Sequence, residues 1–464
     1  MPERIALFGG SFNPPGLHHR AIAATLSSRF DRVIVMPCGP RSDKIATNLL
    51  PPVYRAAMTD MTFSGMANVV VDLSDLEQEH FTRAHELDAR FRTAGEVWHV
   101  VGVDLIRGGG SGESEIQRSW ERGTQLWAEA HFAVLTRPGY KLKKADLPPH
   151  SELIELNVPG ASREIRAKLE RGEDVSAFVA PKAFDYIQRY GLYRAPNPSS
   201  WARGSLTDMG YFINADMRNP KAAEWTRKLD GSHQSMESAG FITVLGGDGM
   251  MLRSIREHWR ARLPFYGINA GHLGFLMNHP RSALESAFPP GDVIFRQLPM
   301  LYIEVEGEDG VKRASYGFND AWVERATSQS AWIQASVNGV RRLPKLVSDG
   351  ALVATAAGST AYARSMGASP LLADTPAWLL VGSNVLEPVD WKSALLSVDS
   401  TVEIVNLDAS HRPLRAYIDG QDQGLVVSMK ARISKAAAAE LVFNAKHDMA
   451  EKIAAVQFHT LIEQ

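Results

Sequence analysis

Residues 241–249, FITVLGGDG, decide the fold of the second half of the chain. An apolar run of this length that ends in glycines predicts a buried strand of an α/β sheet followed by a tight turn. Glycines at that point let the backbone approach a phosphate closely, and open α/β sheets bind ligands at this edge. Asp248 within the turn could accept a proton from a substrate hydroxyl, hold a metal, or be a solvated turn residue.

The surrounding sequence predicts an α/β part followed by a β-rich part. Strand-like runs begin at residues 211–213 and 265–268, and the second leads into NAGHLGFL at residues 269–276. From about Phe295 the chain shows short alternating runs, for example at residues 301–306, 331–337 and 402–406, with few helical stretches. We therefore expect an α/β part at about 209–292 and a β-rich part at about 293–464.

The first half alternates strand-like and helix-like segments. Apolar runs occur at residues 5–8, 33–36, 69–71, 97–101 and 132–135, and helical stretches such as 18–30 and 53–63 lie between them. This alternation predicts an α/β domain of Rossmann-like type at residues 1–194, a parallel sheet with helices on both faces. Proline, asparagine and serine at 195–200 indicate a linker at 195–208 before the second domain, 209–464.

Bulk properties narrow the classes of function. The chain has 464 residues, a formal net charge of −2 and a single cysteine, Cys38. The charge disfavours a nucleic-acid or membrane partner, and one cysteine excludes an internal disulfide framework. No apolar run reaches the roughly 18 residues needed to span a bilayer. We expect a cytoplasmic protein that acts on small molecules.

Further segments of the second half resemble the NAD kinase family, from roughly Gly210 onward. They are the G-G-D-G turn, residues 269–276, the pair Asn319-Asp320, the stretch DGALVATAAGSTAY at 349–362, and D-G-Q at 419–421. A G-G-D-G turn also occurs in lipid kinases and phosphofructokinases, so a lipid or sugar kinase is an alternative. The long D-G…G-S-T-A-Y segment is far more specific and favours NAD kinases.

The resemblance implies roles for individual residues. Asp248 matches the family's general base, which acts on the adenosine ribose 2′-hydroxyl as that hydroxyl attacks the γ-phosphate of ATP, with Mg²⁺ or Mn²⁺. The backbone of Gly246, Gly247 and Gly249 would bind phosphate. The expected NAD contacts are Asn319, Asp320, Asp349, Thr360, Ala361, Tyr362, Ser365 and Asp419. Two positions depart from the family: Asp320 replaces a glutamate and Met250 a threonine. The family also implies a homo-oligomer, a dimer or tetramer.

A second glycine turn, residues 8–19 (FGGSFNPPGLHH), follows the first strand and opens the first helix. A glycine turn at a helix N-terminus is an anion site, and the histidines could stabilise phosphoryl charge or merely coat the helix. The segment resembles the H-x-G-H or T-x-x-H motif of nicotinamide and nicotinate mononucleotide adenylyltransferases. Other matching segments are MPC at 36–38, GVDL at 102–105, RPGY at 137–140, SREIR at 162–166 and residues 185–193.

This second resemblance also implies site residues. His19 would stabilise the α-phosphate of ATP. Phosphate contacts are expected from Gly9, Gly10, Ser11, Lys44, Ser162, Arg163 and Arg166, and mononucleotide contacts from Phe12, Asn13, Thr82, Asp104 and Trp120. Gly16 stands where the first histidine or threonine of the motif is usual, His18 where glycine is usual, and Arg163 where threonine is usual.

Together the halves predict an enzyme that makes NAD and then phosphorylates it. The fusion favours nicotinamide mononucleotide, because a nicotinate product would need amidation before the kinase could use it. The GVDL and RPGY segments look more like the nicotinate-preferring branch, so dual use stays open. One alternative keeps the kinase and makes the first domain a non-catalytic nucleotide sensor. Another gives that domain a different phosphorylated substrate, as in pantetheine-phosphate adenylyltransferases.

Overall fold

The computed structural model describes residues 2–42, 49–136, 142–194, 198–229, 233–271, 273–280, 288–447 and 449–458. The chain forms two compact units, Met1–Pro198 and Ser199–Gln464. Within the described residues, no helix is both long and apolar enough to cross a bilayer. The mixed α/β class predicted from the sequence is confirmed.

The N-terminal unit is built on a six-stranded sheet with the strand order β3-β2-β1-β4-β5-β6. Every neighbouring pair in it is parallel, as the alternating pattern predicted. The last strand, β6, was not apparent from the sequence because its side chains alternate only weakly between buried and exposed. The strands are β1 Arg4–Gly10, β2 Arg32–Pro37, β3 Val69–Val71, β4 Glu96–Gly102, β5 His131–Thr136 and β6 Ser151–Glu155.

Helices cover this sheet, and several start or stop at residues suited to that place. Proline occupies the first position of the helices that begin at Pro52 and Pro181, where its missing N–H costs nothing. The second of these ends at Gly191, which has a left-handed conformation. The helices are α1 Leu17–Ser27, α2 Pro52–Phe63, α3 Ser74–Glu77, α4 Ala84–Phe91, α5 Glu115–Ser119, α6 Gly123–Glu129, α7 Ser162–Glu170 and α8 Pro181–Tyr190.

The C-terminal unit begins with a short strand inside the segment that the sequence indicated as a linker. This strand, β7 (Trp201–Gly204), pairs antiparallel with β11 (Val293–Gly307). A parallel group follows, β8 Tyr211–Ala215, β9 Phe241–Gly246 and β10 Phe265–Asn269, with β9 in the middle. Helices α9 (Pro220–Leu229) and α10 (Asp248–His258) connect these strands. The central strand β9 is buried along its whole length.

The rest of this unit is the β-rich part that the alternating runs predicted. Two long strands, β11 and β21 (Gln421–Asn444), pair antiparallel, and β21 also pairs with β10, which joins the two parts in one sheet. The other strands are β12 Lys312–Gly317, β13 Asp320–Arg325, β14 Ala331–Val337, β15 Val340–Ser348, β16 Gly350–Ala354, β17 Ala377–Ser383, β18 Ser393–Ser397, β19 Thr401–Asn406 and β20 Leu414–Ile418. Two short helices complete the unit, α11 Tyr362–Ser365 and α12 Met449–Gln457.

Candidate active sites

The glycine turn after β9 is shaped for close approach of a ligand. A Cβ on Gly246 would lie 2.7 Å from the Cβ of Met250, so this position needs glycine. By contrast, a Cβ on Gly247 or Gly249 would meet nothing within 4 Å. Helix α10 begins at Asp248, so the turn presents free backbone N–H groups and the positive end of the helix dipole.

The carboxylate of Asp248 is held by the loop that follows β10. Its Oδ2 accepts the backbone N–H of Phe275 and its Oδ1 that of Leu276, both at 2.8 Å. Burial raises the pKa of this carboxyl, while the two hydrogen bonds and the nearby Lys452 oppose the shift. Each carboxylate oxygen keeps a second lone pair, so Asp248 can still accept a proton or a hydrogen bond.

Lys452, on α12, is a residue of this site that sequence reasoning missed. Its Nζ donates to the carbonyl oxygens of Gly274 at 2.7 Å and Met277 at 2.8 Å. Burial lowers the pKa of Lys452 to about 8, with the negative charge of Asp248 acting in the opposite direction. Nothing in the local sequence around Lys452 signals this contact, because it depends on where the C-terminal helix packs.

A second group of predicted residues meets where β12 passes into β13. The Asp419 carboxylate accepts three backbone N–H groups, from Phe318 at 2.6 Å, Asn319 at 2.8 Å and Asp320 at 3.2 Å. Burial, followed by the neighbouring Asp419, raises the pKa of Asp320 to about 7. The side-chain oxygen Oδ1 of Asn319 is buried and has no hydrogen-bond partner among the described residues.

The G-S-T-A-Y segment lies directly against this group. A Cβ on Gly358 would be 2.0 Å from the carbonyl oxygen of Asn319, so only glycine permits the contact. The backbone N–H of Tyr362 donates to Asp320. Tyr362 is 39% exposed, which argues against a purely structural core aromatic. Ala361 and Ser365 are also exposed and Thr360 is half-buried.

Asp349 lies on a cavity of about 420 Å³ that Tyr362 also lines. Its Oδ1 is 2.5 Å from Nε of Arg325, and its Oδ2 accepts from Nδ2 of Asn384 at 2.7 Å. Trp322, another lining residue, packs edge-on against Tyr362 at 5.0 Å between ring centroids. Sequence reasoning missed Arg325, Asn384 and Trp322, which no motif distinguishes from other strand or loop residues.

The structure thus brings together Asn319, Asp320, Asp349, Asp419 and Tyr362, whereas Asp248 belongs to the glycine turn. A shared core cluster that includes Met251, Phe318 and Ala357 lies under both groups. Helix α10 also links them, because Arg256 on it interacts electrostatically with Asp419. The two groups are therefore connected through one core cluster and helix α10.

In the N-terminal unit, the ring of His19 on α1 is fixed by the glycine turn. Its Nδ1 accepts the backbone N–H of Gly16 at 3.0 Å, which leaves the proton on Nε2. Burial, with the neighbouring His18, lowers the pKa of His19 to about 3. His19 is therefore a neutral hydrogen-bond donor over the whole physiological range of pH.

The loop between β1 and α1 is held by several predicted residues. Arg166 donates to the carbonyl oxygen of Asn13 at 2.5 Å, and Ser162 to that of Pro14 at 2.8 Å. The hydroxyl of Tyr193 donates to Oδ1 of Asn13. Buried Arg55, which sequence reasoning missed, donates to the carbonyl oxygen of Ser11 at 2.6 Å. Ser162 and Arg166 thus lie against the glycine-rich loop.

The other residues predicted for this unit are less closely grouped. Phe12 is 1% exposed and belongs to the core, and Trp120 packs on another core cluster. Thr82 donates through Oγ1 to Asp75 at 2.5 Å, and Asp104 is exposed in a 3₁₀ turn after β4. A Cβ added at Gly9 would meet nothing within 4 Å, whereas one added at Gly10 would lie 3.1 Å from the ring of Phe12. Arg163 is exposed. Lys44, the 137–140 segment and His272 lie outside the described residues.

Each half of the chain matches a family model of known proteins. Residues 180–289 match the family model "ATP-NAD kinase N-terminal domain", and residues 7–179 match "Cytidylyltransferase-like". The "NAD kinase" of Rickettsia felis is 34% identical over 256 residues, which cover 55% of this chain and 99% of that protein. The chain belongs to the NAD kinase family. The "NAD kinase" of Rickettsia bellii is 32% identical over 254 residues, again 55% of this chain and 99% of the relative.

A solved structure of an NAD kinase from Archaeoglobus fulgidus in complex with ATP is 19% identical. It covers 54% of this chain and 98% of its own, with a TM-score of 0.42.

The structure shows what surrounds the two positions at which this NAD kinase family member departs from the family pattern. Met250 is partly buried and packs on the core beneath the glycine turn, and its Cβ lies where a side chain at Gly246 would have to fit. Asp320 is 4% exposed and lies beside Asp419. Met250 therefore contributes to core packing. The Asp320 side chain, although shorter than glutamate, keeps its carboxyl beside Asp419.

Proposed function

We propose that the C-terminal unit transfers the γ-phosphoryl group of ATP to the 2′-hydroxyl of the adenosine ribose of NAD, and that the N-terminal unit makes NAD from ATP and nicotinamide mononucleotide. The observation that carries the first step is the placement of Asp248. It stands at the carboxyl end of a buried strand, at the start of a helix, beside open glycines. This is where an α/β sheet binds a phosphorylated ligand.

In the kinase step, Asp248 would act as general base. The 2′-oxygen attacks the γ-phosphorus, the bond to the β–γ bridging oxygen breaks, ADP leaves, and the hydroxyl proton passes to Asp248. Burial raises the pKa of this carboxyl, which makes it a stronger base at neutral pH. The N–H groups of the turn formed by Gly246, Gly247 and Gly249 would stabilise the negative charge on the transferring phosphoryl group.

The remaining predicted residues would hold NAD. Asn319 has a buried oxygen that lacks a partner among the described residues, so a ligand donor would satisfy it. Exposed Tyr362 and the acids Asp320, Asp349 and Asp419 lie around it or along the adjoining cavity. Thr360, Ala361 and Ser365 would contribute from the same segment.

Mg²⁺ or Mn²⁺ would enter with ATP. Among the described residues, no three histidine, cysteine, aspartate or glutamate side chains converge as a metal site. In phosphoryl transfer a magnesium ion is usually held by substrate phosphates together with one or two carboxylates. The ion would neutralise phosphate charge during the transfer.

In the adenylyl step, an oxygen of the mononucleotide 5′-phosphate attacks the α-phosphorus of ATP. The bond to the α–β bridging oxygen breaks and pyrophosphate leaves. His19 would donate from Nε2 to the α-phosphate, since its Nδ1 is occupied by Gly16. Ser162 and Arg166 order the loop beside it, while Gly9, Gly10, Ser11, Lys44 and Arg163 would contribute phosphate contacts. Phe12, Asn13, Thr82, Asp104 and Trp120 would form the mononucleotide site, with Phe12 shaping it from within the core.

A second candidate function makes the N-terminal unit a nucleotide-binding module without catalysis. The observation that favours it is at Gly16, where an added Cβ would lie 2.6 Å from the ring of His18 and 2.9 Å from Ile165. The side chain of the adenylyltransferase motif is thus absent at this position, and the His18 ring and the end of Ile165 occupy the space beside it. Nicotinate mononucleotide as the preferred substrate is the other variant of the proposal.

The test incubates the purified protein with ATP, Mg²⁺ and either nicotinamide mononucleotide, nicotinate mononucleotide or NAD, and separates the products by chromatography. The proposal expects NADP from nicotinamide mononucleotide and from NAD, with pyrophosphate released only in the first case. NADP from NAD alone, with mononucleotide bound but not converted, would support the binding-module alternative. Light scattering on the same sample tests the homo-oligomer expected from the family. The single cysteine of the chain fits the proposed cytoplasmic location.

A further inference from the structure

Helix α12 lies against the loop that holds the proposed base. Phe275 in the loop and Ile453 on the helix are both buried in one small cluster, with Met449 packed beside them. Lys452 lies on the same helix, next to Ile453 in sequence. Its Nζ donates to two carbonyl oxygens of the loop, those of Gly274 and Met277.

Two side chains of opposite charge, Asp248 and Lys452, therefore hold the loop through hydrogen bonds to its backbone. Asp248 accepts from the N–H groups of Phe275 and Leu276, the two residues that lie between the carbonyls bound by Lys452. Gly274 has a left-handed conformation (φ +58°), and a Cβ there would lie 2.6 Å from the side chain of Asn269. The backbone at this point has few alternative paths, so the four hydrogen bonds fix both the loop and the carboxylate.

We propose that Lys452 is a positioning residue that orients Asp248 through the 274–277 loop. This inference rests on the proposed function of Asp248 as base. The positive charge of Lys452 is close enough to act on Asp248, and it favours the carboxylate form. Helix α12 thus contributes a positioning residue to the phosphoryl-transfer site.

The first test compares Lys452→Met and Lys452→Arg with Lys312→Met, a control whose side chain is 75% exposed on β12. Lys452→Met should lower kcat for NADP formation about 10- to 100-fold, the size expected when a catalytic group is slightly misplaced. KM for NAD should change little, because the NAD contacts lie elsewhere. Without the ammonium the pKa of Asp248 rises, so the acid limb of the kcat profile moves to higher pH. Lys452→Arg should restore the limb, and Lys312→Met should match the wild type.

The second measurement is hydrogen exchange, which does not depend on activity. The amides of Phe275 and Leu276 should exchange at least about 10-fold faster in Lys452→Met than in Lys312→Met, because the loop loses its hydrogen bonds to Lys452. Unchanged exchange, or an unchanged kcat and acid limb in a folded variant, overturns the positioning role. If the wild type makes no NADP but exchange still rises in Lys452→Met, the kinase proposal fails while the clamp on the loop stands.

Discussion

Replacing Gly358 with alanine would drive a methyl group into the backbone of Asn319. The added Cβ would lie 2.0 Å from the carbonyl oxygen of Asn319, 2.5 Å from its carbonyl carbon and 2.6 Å from its Cα. None of these atoms is the flexible end of a side chain, so the backbone itself must shift. Forced overpacking of this kind costs about 1–3 kcal/mol, and backbone partners place this case at about 2–3 kcal/mol.

The assay for Gly358→Ala is thermal unfolding together with steady-state kinetics. A loss of this size should lower the unfolding temperature of the C-terminal unit by about 5–10 °C. Because the segment also carries Tyr362, whose N–H donates to Asp320, KM for NAD should rise as well. Gly291→Ala is the matched control, since its Cβ would be 3.6 Å from Thr207, an ordinary contact. Equal unfolding temperatures and equal KM values in the two variants would refute the steric argument.

Three further predictions concern single side chains. Asp320 has a pKa of about 7 in the folded protein against an ordinary value near 3.8, so the free energy of unfolding should fall as pH rises from about 4 to 7. Urea unfolding of Asp320→Asn across that range should show a smaller fall, and identical slopes would contradict the shift. Asn384→Ala removes the hydrogen bond to Oδ2 of Asp349 and should raise KM for NAD about 3- to 10-fold with little change in kcat. An unaltered KM in steady-state kinetics would refute this. His19→Ala should lower the rate of NAD formation from nicotinamide mononucleotide by about 10²-fold or more. Because the pKa of His19 is about 3, the wild-type rate should show no transition near pH 6.5 that depends on His19. A transition there that disappears in His19→Ala would show the neutral-donor role to be wrong.

Much of the fold could be predicted because the local pattern and the tertiary environment agree. The run at β9 is apolar, and the structure buries it on both faces. The β14 segment alternates in sequence and in burial, and its predicted bounds match the strand. β6 was missed because residues 151–155 place only one side chain in the core. β7 was missed because proline and serine before it indicated a linker, whereas pairing with β11 decides its structure.

Some residues of the candidate site could also be predicted from the sequence, and others could not. Asp248 is identifiable because the glycines beside it mark a turn at the end of a strand, whereas Asp419 and Tyr362 were expected only from the resemblance to NAD kinases. Lys452 and Arg325 carry no such mark, since an isolated lysine on a helix or arginine at a strand end is usually solvated. Their positions depend on contacts between segments far apart in the chain, which periodicity does not encode.

The central claim is tested most directly by NADP formation from NAD and ATP in Asp248→Asn. Asparagine keeps the size of the side chain but cannot accept the hydroxyl proton, so kcat should fall about 10²- to 10⁴-fold. Asp399→Asn, at a side chain that is 78% exposed, is the matched control and should keep wild-type activity. Equal rates of NADP formation by the two folded variants would contradict the assignment of Asp248 as the base.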